Sequence, residues 1–180
     1  MPDIPLRSPT TAAEESALCT RARQGDRAAV RALFDCYAQR LYGYLLHTLR
    51  DPQLASDCFQ QTWLRAIEQF PRFEDRGASF GAWLFTIARN ECRQHWRRRT
   101  NEPLDAITHD VPVPSPQHAI ANAIEIERVL TQLHEDDREL LRLRYLADLP
   151  VATIARTLGI RTATAHVRIH RALRRARRLL

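Results

Sequence analysis

The 180-residue sequence contains no lysine, so all 27 of its basic residues are arginine. Glycine is scarce, with five residues, and aromatic residues make up only 7% of the chain. Beside abundant alanine, leucine and arginine, this composition favours helices over sheets and predicts an all-α protein. No apolar run is long enough to span a bilayer, and the amino terminus lacks the charged-then-apolar pattern of a signal peptide. We therefore expect a cytoplasmic protein with no membrane partner.

The four cysteines, Cys19, Cys36, Cys58 and Cys92, are widely spaced, and none belongs to a Cys-x-x-Cys pair. Cys36 and Cys58 fall on apolar helical faces, so buried free thiols in a reducing compartment are expected. Cys92 and His95 are spaced like a pair of metal ligands, but two ligands do not make a zinc site. The sequence predicts neither a metal site nor a cofactor.

Residues 135–180 hold the strongest pattern in the chain. Because proline favours helix starts and glycine favours helix ends, Pro150 and Gly159 predict a short helix over 151–158. A further helix is predicted after Gly159, and its apolar face consists of Ala165, Ile169, Ala172, Leu173, Ala176 and Leu180. Its opposite face carries Arg168, Arg171, Arg174, Arg175 and Arg178. Two helices joined by a tight glycine turn are typical of the helix-turn-helix, whose second helix enters the major groove of DNA.

Positive charge is concentrated at this carboxyl-terminal helix. Residues 161–180 contain seven arginines and no acid, a charge of +7 where the whole chain carries +6. The alternative is a three-helix packing unit whose arginines are only a solvated face. A patch this concentrated is instead typical of a polyanion partner, which favours nucleic acid. A second basic site lies at residues 89–99, where five arginines accompany Glu91.

The rest of the chain is predicted to form helices with short breaks between them. Residues 1–13 are expected to be disordered, and the helices predicted before residue 100 span 14–24, 26–49, 52–70 and 79–99. Asp26 and Asp51 are the expected N-caps, the latter followed by a first-turn proline. The third helix is predicted to bury Leu54, Ala55, Cys58, Phe59, Thr62, Trp63, Ala66 and Ile67. The fourth is predicted to bury Phe80, Trp83, Leu84, Ile87 and Ala88.

Residues 100–119 change character, with four prolines and no helical period, and are predicted to be an extended linker. Helix is expected again in the remaining residues, 120–180. The expected architecture is therefore two small helical domains, 14–99 and 120–180, on a flexible Pro-rich tether.

Four segments, in this order, resemble one family. They are DCFQQTWLRAI at 57–67, FGAWLFTIARN at 80–90, RLRYLADL at 142–149, and the helix-turn-helix at 154–172. Together they are similar to the extracytoplasmic-function (ECF) group of bacterial RNA polymerase sigma factors, which keep only the second and fourth sigma domains. The resemblance implies a non-catalytic specificity subunit that binds core RNA polymerase and promoter DNA, with an anti-sigma factor as a further partner.

The resemblance also implies three sets of contact residues. A polymerase-binding set would dock on the coiled coil of the polymerase clamp: Asp57, Gln60, Gln61, Leu64 and Arg65. A set for the −10 element and promoter melting would comprise Arg89, Asn90, Arg93, Arg97 and Arg98, beside a loop between Phe70 and Phe80 that would frame a pocket for an unstacked base. A set for the −35 element would comprise Arg161, Thr162, Thr164, His166, Val167, Arg168, His170, Arg171 and Arg174.

Some positions depart from the family pattern. Gln61 stands where the family usually has Glu, and Gln94 replaces a frequent Asp. In the helix-turn-helix, the departures are Arg161, Ala163, His166 and Val167, at positions where Ser, Gly, Lys and Ser are common. An unusual base preference is therefore expected at the −35 element.

Two other classes of protein fit parts of the sequence. A dimeric repressor or activator would use the helix-turn-helix but would have no use for the basic site at 89–99. An enzyme that cuts or joins DNA would need clustered carboxylates for metal, or a placed nucleophile, and neither is found. Asp136 and Asp137 are adjacent, but they sit where a helix cap is expected. The sequence therefore predicts a protein that is not an enzyme.

Overall fold

The computed structural model describes residues 11–73, 79–100 and 130–179, with the backbone alone for 98–100. Within these residues every regular element is helical, as the composition predicted. The α-helices are α1 (Ala12–Arg23), α2 (Arg27–Leu49), α3 (Pro52–Gln69), α4 (Phe80–Thr100), α5 (Glu135–Leu141), α6 (Val151–Leu158) and α7 (Thr162–Ala176). A 3-10 turn, Phe70–Arg72, follows α3, and a π-helical turn, Arg142–Leu146, follows α5. The predicted disorder before residue 11, the loop at 74–78, the linker after residue 100 and Leu180 lie outside the described residues.

Local caps explain where the first helices begin. Asp26 and Asp51 are confirmed as N-caps, since each side chain accepts hydrogen bonds from two backbone N–H groups of the helix that follows. Helix α1 begins two residues earlier than predicted, because Thr11 and Glu14 form a reciprocal capping box. The sequence therefore encodes these starts in single side chains.

Phe80, at the start of α4, lies at the centre of an aromatic cluster and is 1% exposed. Five rings pack around it, with centroids 5.4 to 6.3 Å away: Tyr37, Trp63, Phe70, Phe73 and Trp83. The next residue, Gly81, has no room for a side chain, because a Cβ there would lie 2.9 Å from the Tyr37 ring. The cluster joins α2, α3 and α4 and fixes the position of the amino-terminal end of α4.

Polar contacts hold the same end of α4. The backbone N–H of Phe80 donates to Glu15 Oε1 at 2.7 Å, and that of Ala82 donates to Ser79 Oγ at 3.2 Å. The Tyr37 hydroxyl donates to the second carboxylate oxygen of Glu15. Burial, together with the Glu15 carboxylate, raises the pKa of Tyr37 well above its usual value, so the phenol remains a donor. Ser79 thus starts α4 as predicted, with Glu15 as a distant second cap.

The carboxyl-terminal half forms the predicted helix-turn-helix. Helix α6 occupies the predicted residues and ends at Gly159, whose φ of +67° places it in the left-handed region that glycine adopts without strain. The N–H of Ile160 donates back to the carbonyl of Ala155 at 2.9 Å, which completes a Schellman turn into α7. The turn fixes the angle at which α7 leaves α6.

The two halves pack against each other. Leu140, Leu149 and Ile154 are almost fully buried in one core that is continuous with the core of α1–α4. The hydroxyl of Thr157 donates to the carbonyl of Ala82 at 3.3 Å, so α6 contacts the first turn of α4. The expected picture of separate modules therefore differs from the structure, because the first turns of α4 and the start of the helix-turn-helix share apolar surface.

Candidate nucleic-acid and polymerase interfaces

Helix α7 separates its apolar and cationic faces as the sequence predicted. Ala165, Ile169 and Ala172 are buried against the rest of the helix-turn-helix. The residues of the predicted −35 set that are exposed are Arg161, Thr162, Thr164, His166, Val167, His170, Arg171 and Arg174. One continuous helical face therefore presents cations, hydroxyls, imidazoles and one aliphatic side chain to an incoming ligand.

Arg168 differs from these neighbours because it is half-buried and ion-paired. Its guanidinium lies 3.1 Å from Asp136, and Arg175 lies 2.7 Å from Asp137. The expectation that Asp136 and Asp137 occupy a cap is wrong: the cap of α5 is His134, and the two aspartates lie in the first turn. There they tie α5 to α7 and orient two arginines at the edge of the cationic face.

His170 and Arg174 are in contact on the exposed face, with 3.2 Å between His170 Nε2 and Arg174 Nη2. A guanidinium can only donate, so the imidazole nitrogen in this bond must be the acceptor. His170 therefore presents its remaining ring nitrogen, Nδ1, as a donor. The pair places a cation and a hydrogen-bonding imidazole side by side.

The predicted −10 set lies on α4 and divides into two parts. Asn90, Arg93 and Arg97 are exposed. Arg98 belongs to the same helix, but its side chain lies outside the described residues. Arg89 lies one turn before Arg93 and lines the same cavity, but its guanidinium is engaged in a two-pronged ion pair with Glu139 of α5. The structure therefore gathers only part of this set on one open surface.

The polymerase-binding set lies on α3, where Asp57, Gln60, Gln61 and Leu64 are exposed. Arg65 does not join them. Its guanidinium lies 2.8 Å from the Glu91 carboxylate on α4, and it also donates to the Gln94 side chain at 3.5 Å. Arg65 therefore braces α3 against α4.

The prediction of the buried face of α3 is wrong at Ile67. It was expected to be buried, but it is 53% exposed, beside Leu64 at 51%. The buried stripe of α3 ends at Ala66, and Ile67 lies three residues after Leu64, on the exposed face. Two large aliphatic side chains thus lie one turn apart on a polar helix. The signal available in the sequence was the spacing of Gln60, Leu64 and Ile67.

None of the four cysteines forms a disulfide, as predicted, although Cys36 is only half-buried. Cys58 on α3 and Cys92 on α4 form a thiol pair, in which a hydrogen bond from Cys92 lowers the pKa of Cys58. The same bond, together with burial, raises the pKa of Cys92.

Among the residues that the structure describes, no helix is both long and apolar enough to cross a bilayer.

Comparisons with known proteins match both halves of the chain. Residues 33–102 match the family Sigma-70 region 2, and residues 123–175 match Sigma-70, region 4. Two solved structures share the fold: CnrH in complex with the cytosolic domain of CnrY, and RpoE from Bartonella quintana in complex with the anti-sigma factor NepR. The CnrH structure has a TM-score of 0.71 and a sequence identity of 21%, and the match covers 92% of this chain and 96% of CnrH. The RpoE structure has a TM-score of 0.67 and a sequence identity of 24%, and the match covers 88% of this chain and 96% of RpoE.

Several sigma factors are also similar in sequence. The ECF RNA polymerase sigma factor BldN of Streptomyces coelicolor is 33% identical over 91% of this chain, which spans 64% of BldN. CarQ of Myxococcus xanthus is 32% identical over 89% of this chain and 94% of its own length. SigL of Mycobacterium tuberculosis is 32% identical over 87% of this chain and 91% of its own length. The chain therefore belongs to the ECF family of RNA polymerase sigma factors.

Proposed function

We propose that this sigma factor binds core RNA polymerase through α3, places α4 at the −10 element, and places α7 at the −35 element. One observation supports the proposal most strongly. The same chain exposes cationic faces on two helices, α4 and α7, and two aliphatic side chains, Leu64 and Ile67, on α3. We assign residues 14–99 to the region 2-like domain, 100–119 to the linker and 120–180 to the region 4-like domain. Sigma factors are not enzymes, so specificity is the contribution of this chain.

At the −35 element, α7 would lie in the major groove and read base edges with its first turns. Thr162, Thr164 and His166 can exchange hydrogen bonds with bases, and the aliphatic Val167 suits the methyl group of thymine. Arg161, Arg171 and Arg174 are exposed and would neutralise phosphates. Arg168 lies at the edge of the cationic face of α7, in an ion pair with Asp136, and would contact a phosphate from there.

At the −10 element, the exposed side chains of Asn90, Arg93 and Arg97 would follow the strand released by melting. The aromatic cluster around Phe80 holds the start of α4, which leads out of the loop proposed to take an unstacked base. Arg98 completes the proposed track. Arg89 would join it only after it leaves Glu139.

We also propose a cytoplasmic location, since core polymerase and promoter DNA are both there in bacteria, and an anti-sigma factor as a protein partner. CnrH and RpoE, which share the fold, have each been solved in a complex, the latter with the anti-sigma factor NepR. The combined α3 and α4 surfaces would be what such a partner must cover to block polymerase and DNA together.

The decisive experiment is run-off transcription with core polymerase on the region upstream of this protein's own gene. Transcripts that start at one site only when the chain and core enzyme are both present would support the proposal. Tight protection of a palindromic site by the chain alone would instead identify a dimeric repressor or activator.

Replacing Arg171 by alanine is expected to weaken promoter binding by the polymerase complex on all sequences alike. An exposed arginine that neutralises one phosphate contributes about one unit to the slope of log K against log salt, so that slope should fall by about 1. Binding constants measured at several salt concentrations test this. Arg31→Ala, which removes an exposed cation from α2, is the matched control and should leave the slope unchanged. A change in base preference without a change in slope would contradict the phosphate role.

A further inference from the structure

Arg89 and Glu139 form an ion pair between the two halves of the molecule. The guanidinium of Arg89 donates from Nε and Nη2 to the two carboxylate oxygens of Glu139, the second at 3.1 Å. Both side chains are only 17% exposed. Two parallel charge-assisted hydrogen bonds in a partly dry setting make a stronger and more directional contact than a surface salt bridge.

The charged groups around the pair belong to both halves. Arg50 and Arg93 line the same cavity from the first half, and Glu135, Asp136, Arg138 and Arg142 line it from the second. The other acids of α5 have partners in the second half: Glu135 pairs with Arg138 and Arg142, Asp136 with Arg168, and Asp137 with Arg175. Glu139 is therefore the acid of α5 that is directed at the other half.

The closed arrangement is too compact for the proposed function. The two promoter elements are centred about 25 base pairs apart, which is roughly 85 Å of DNA at about 3.4 Å per base pair. Helix α4 has 21 residues and is about 30 Å long, and α6 packs directly on its first turn. Helices α4 and α7 must therefore separate before each can reach its own element.

Resting on that proposed function, we propose that the Arg89–Glu139 pair is a latch that holds this sigma factor closed and keeps Arg89 from DNA. In the closed state the carboxylate of Glu139 occupies the site on Arg89 that a DNA phosphate takes in the open state. The exchange leaves the arginine paired in both states, while Glu139 moves into water. Because only open molecules bind promoter and polymerase productively, the apparent affinity is reduced in proportion to the fraction that is open.

The latch acts together with an apolar contact. Leu140 and Leu149 are buried in the core shared by the two halves, and opening exposes them unless a partner covers that surface. A chain without polymerase therefore remains closed. We therefore expect the chain alone to bind promoter DNA weakly.

The test compares Glu139→Gln with Glu135→Gln in the full chain. Both changes remove one negative charge from α5, but the partners of Glu135 lie within its own half. Dyes placed through noncanonical residues at the exposed positions Gln39 and Ala152 report the distance between the halves by energy transfer. Glu139→Gln should raise the ratio of open to closed molecules at least about fivefold and tighten binding to core polymerase by a similar factor, whereas Glu135→Gln should match the wild type.

Equal distance distributions and equal polymerase affinities for the two variants would overturn the latch. If Glu139→Gln fails to fold, Arg89→Glu takes its place, and the charge exchange Arg89→Glu with Glu139→Arg is its rescue. A chain that Arg89→Glu opens and the exchange closes again supports the latch, and an Arg89→Glu chain with the wild-type distance overturns it. The distances are measured without polymerase, so they test the latch alone. The proposed function is tested separately, by run-off transcription with the wild-type chain, and either proposal can fail while the other stands.

Discussion

Replacing Phe80 by alanine is expected to lower the free energy of unfolding by about 3 to 5 kcal/mol, the usual loss for a fully buried aromatic ring. The ring is 1% exposed and touches five other aromatic side chains drawn from α2, α3, α4 and the turn at Phe70–Arg72 and Phe73. Alanine would leave a cavity in contact with all of these elements. Because domains of this size are stable by only about 5 to 15 kcal/mol, this change would remove a large share of the total stability.

Urea denaturation followed by circular dichroism measures this loss. Leu64→Ala is the matched control, because it also truncates a large apolar side chain but from a position that is 51% exposed. It should change the free energy of unfolding by less than about 1 kcal/mol. A Phe80→Ala variant as stable as the Leu64→Ala variant would show that the aromatic cluster does not organise the fold.

Features that depend on one residue and its near neighbours could be predicted from the sequence. Asp26 and Asp51 start helices by accepting bonds from N–H groups two and three residues ahead. Gly159 ends α6 because the turn there needs a positive φ. Both effects act over a few residues, so the order of residues contains the necessary information. The helix-turn-helix and its cationic face follow from the same local rules.

Features that depend on distant partners could not be predicted in this way. Helical spacing placed Arg89 beside the exposed cations of α4, but its partner Glu139 lies 50 residues away, and only folding brings the two together. Glu15 caps α4 across 65 residues, and no local pattern indicates it. Ile67 was assigned to the wrong face because a stripe of mixed small and large residues leaves the edge of the buried face ambiguous. The exposure of Ile67 and the ion pair of Arg89 depend on which neighbour a helix meets, not on whether the helix forms. One local signal also failed, at the cap of α5, where His134 takes the place expected for Asp136 and Asp137.

Replacing both Leu64 and Ile67 by alanine is expected to weaken binding to core polymerase by about 10- to 100-fold and to leave the fold intact. Full burial of an aliphatic side chain contributes about 1.5 to 3 kcal/mol. Both side chains are already about half-buried, at 51% and 53% exposure, so docking gains about half of that for each. Two such losses amount to roughly 1.5 to 3 kcal/mol, and about 1.4 kcal/mol corresponds to tenfold in affinity.

Affinity for core polymerase, measured by titration with a fluorescent chain, tests this expectation. Val167→Ala is the matched control, since Val167 is an aliphatic side chain of similar exposure, 48%, on helix α7, which we propose binds DNA. It should bind polymerase like the wild type while losing preference at the −35 element. If the double variant binds polymerase normally, the exposed face of α3 is not the docking surface. Normal unfolding curves for both variants exclude loss of structure as the cause, because each change removes atoms from exposed positions.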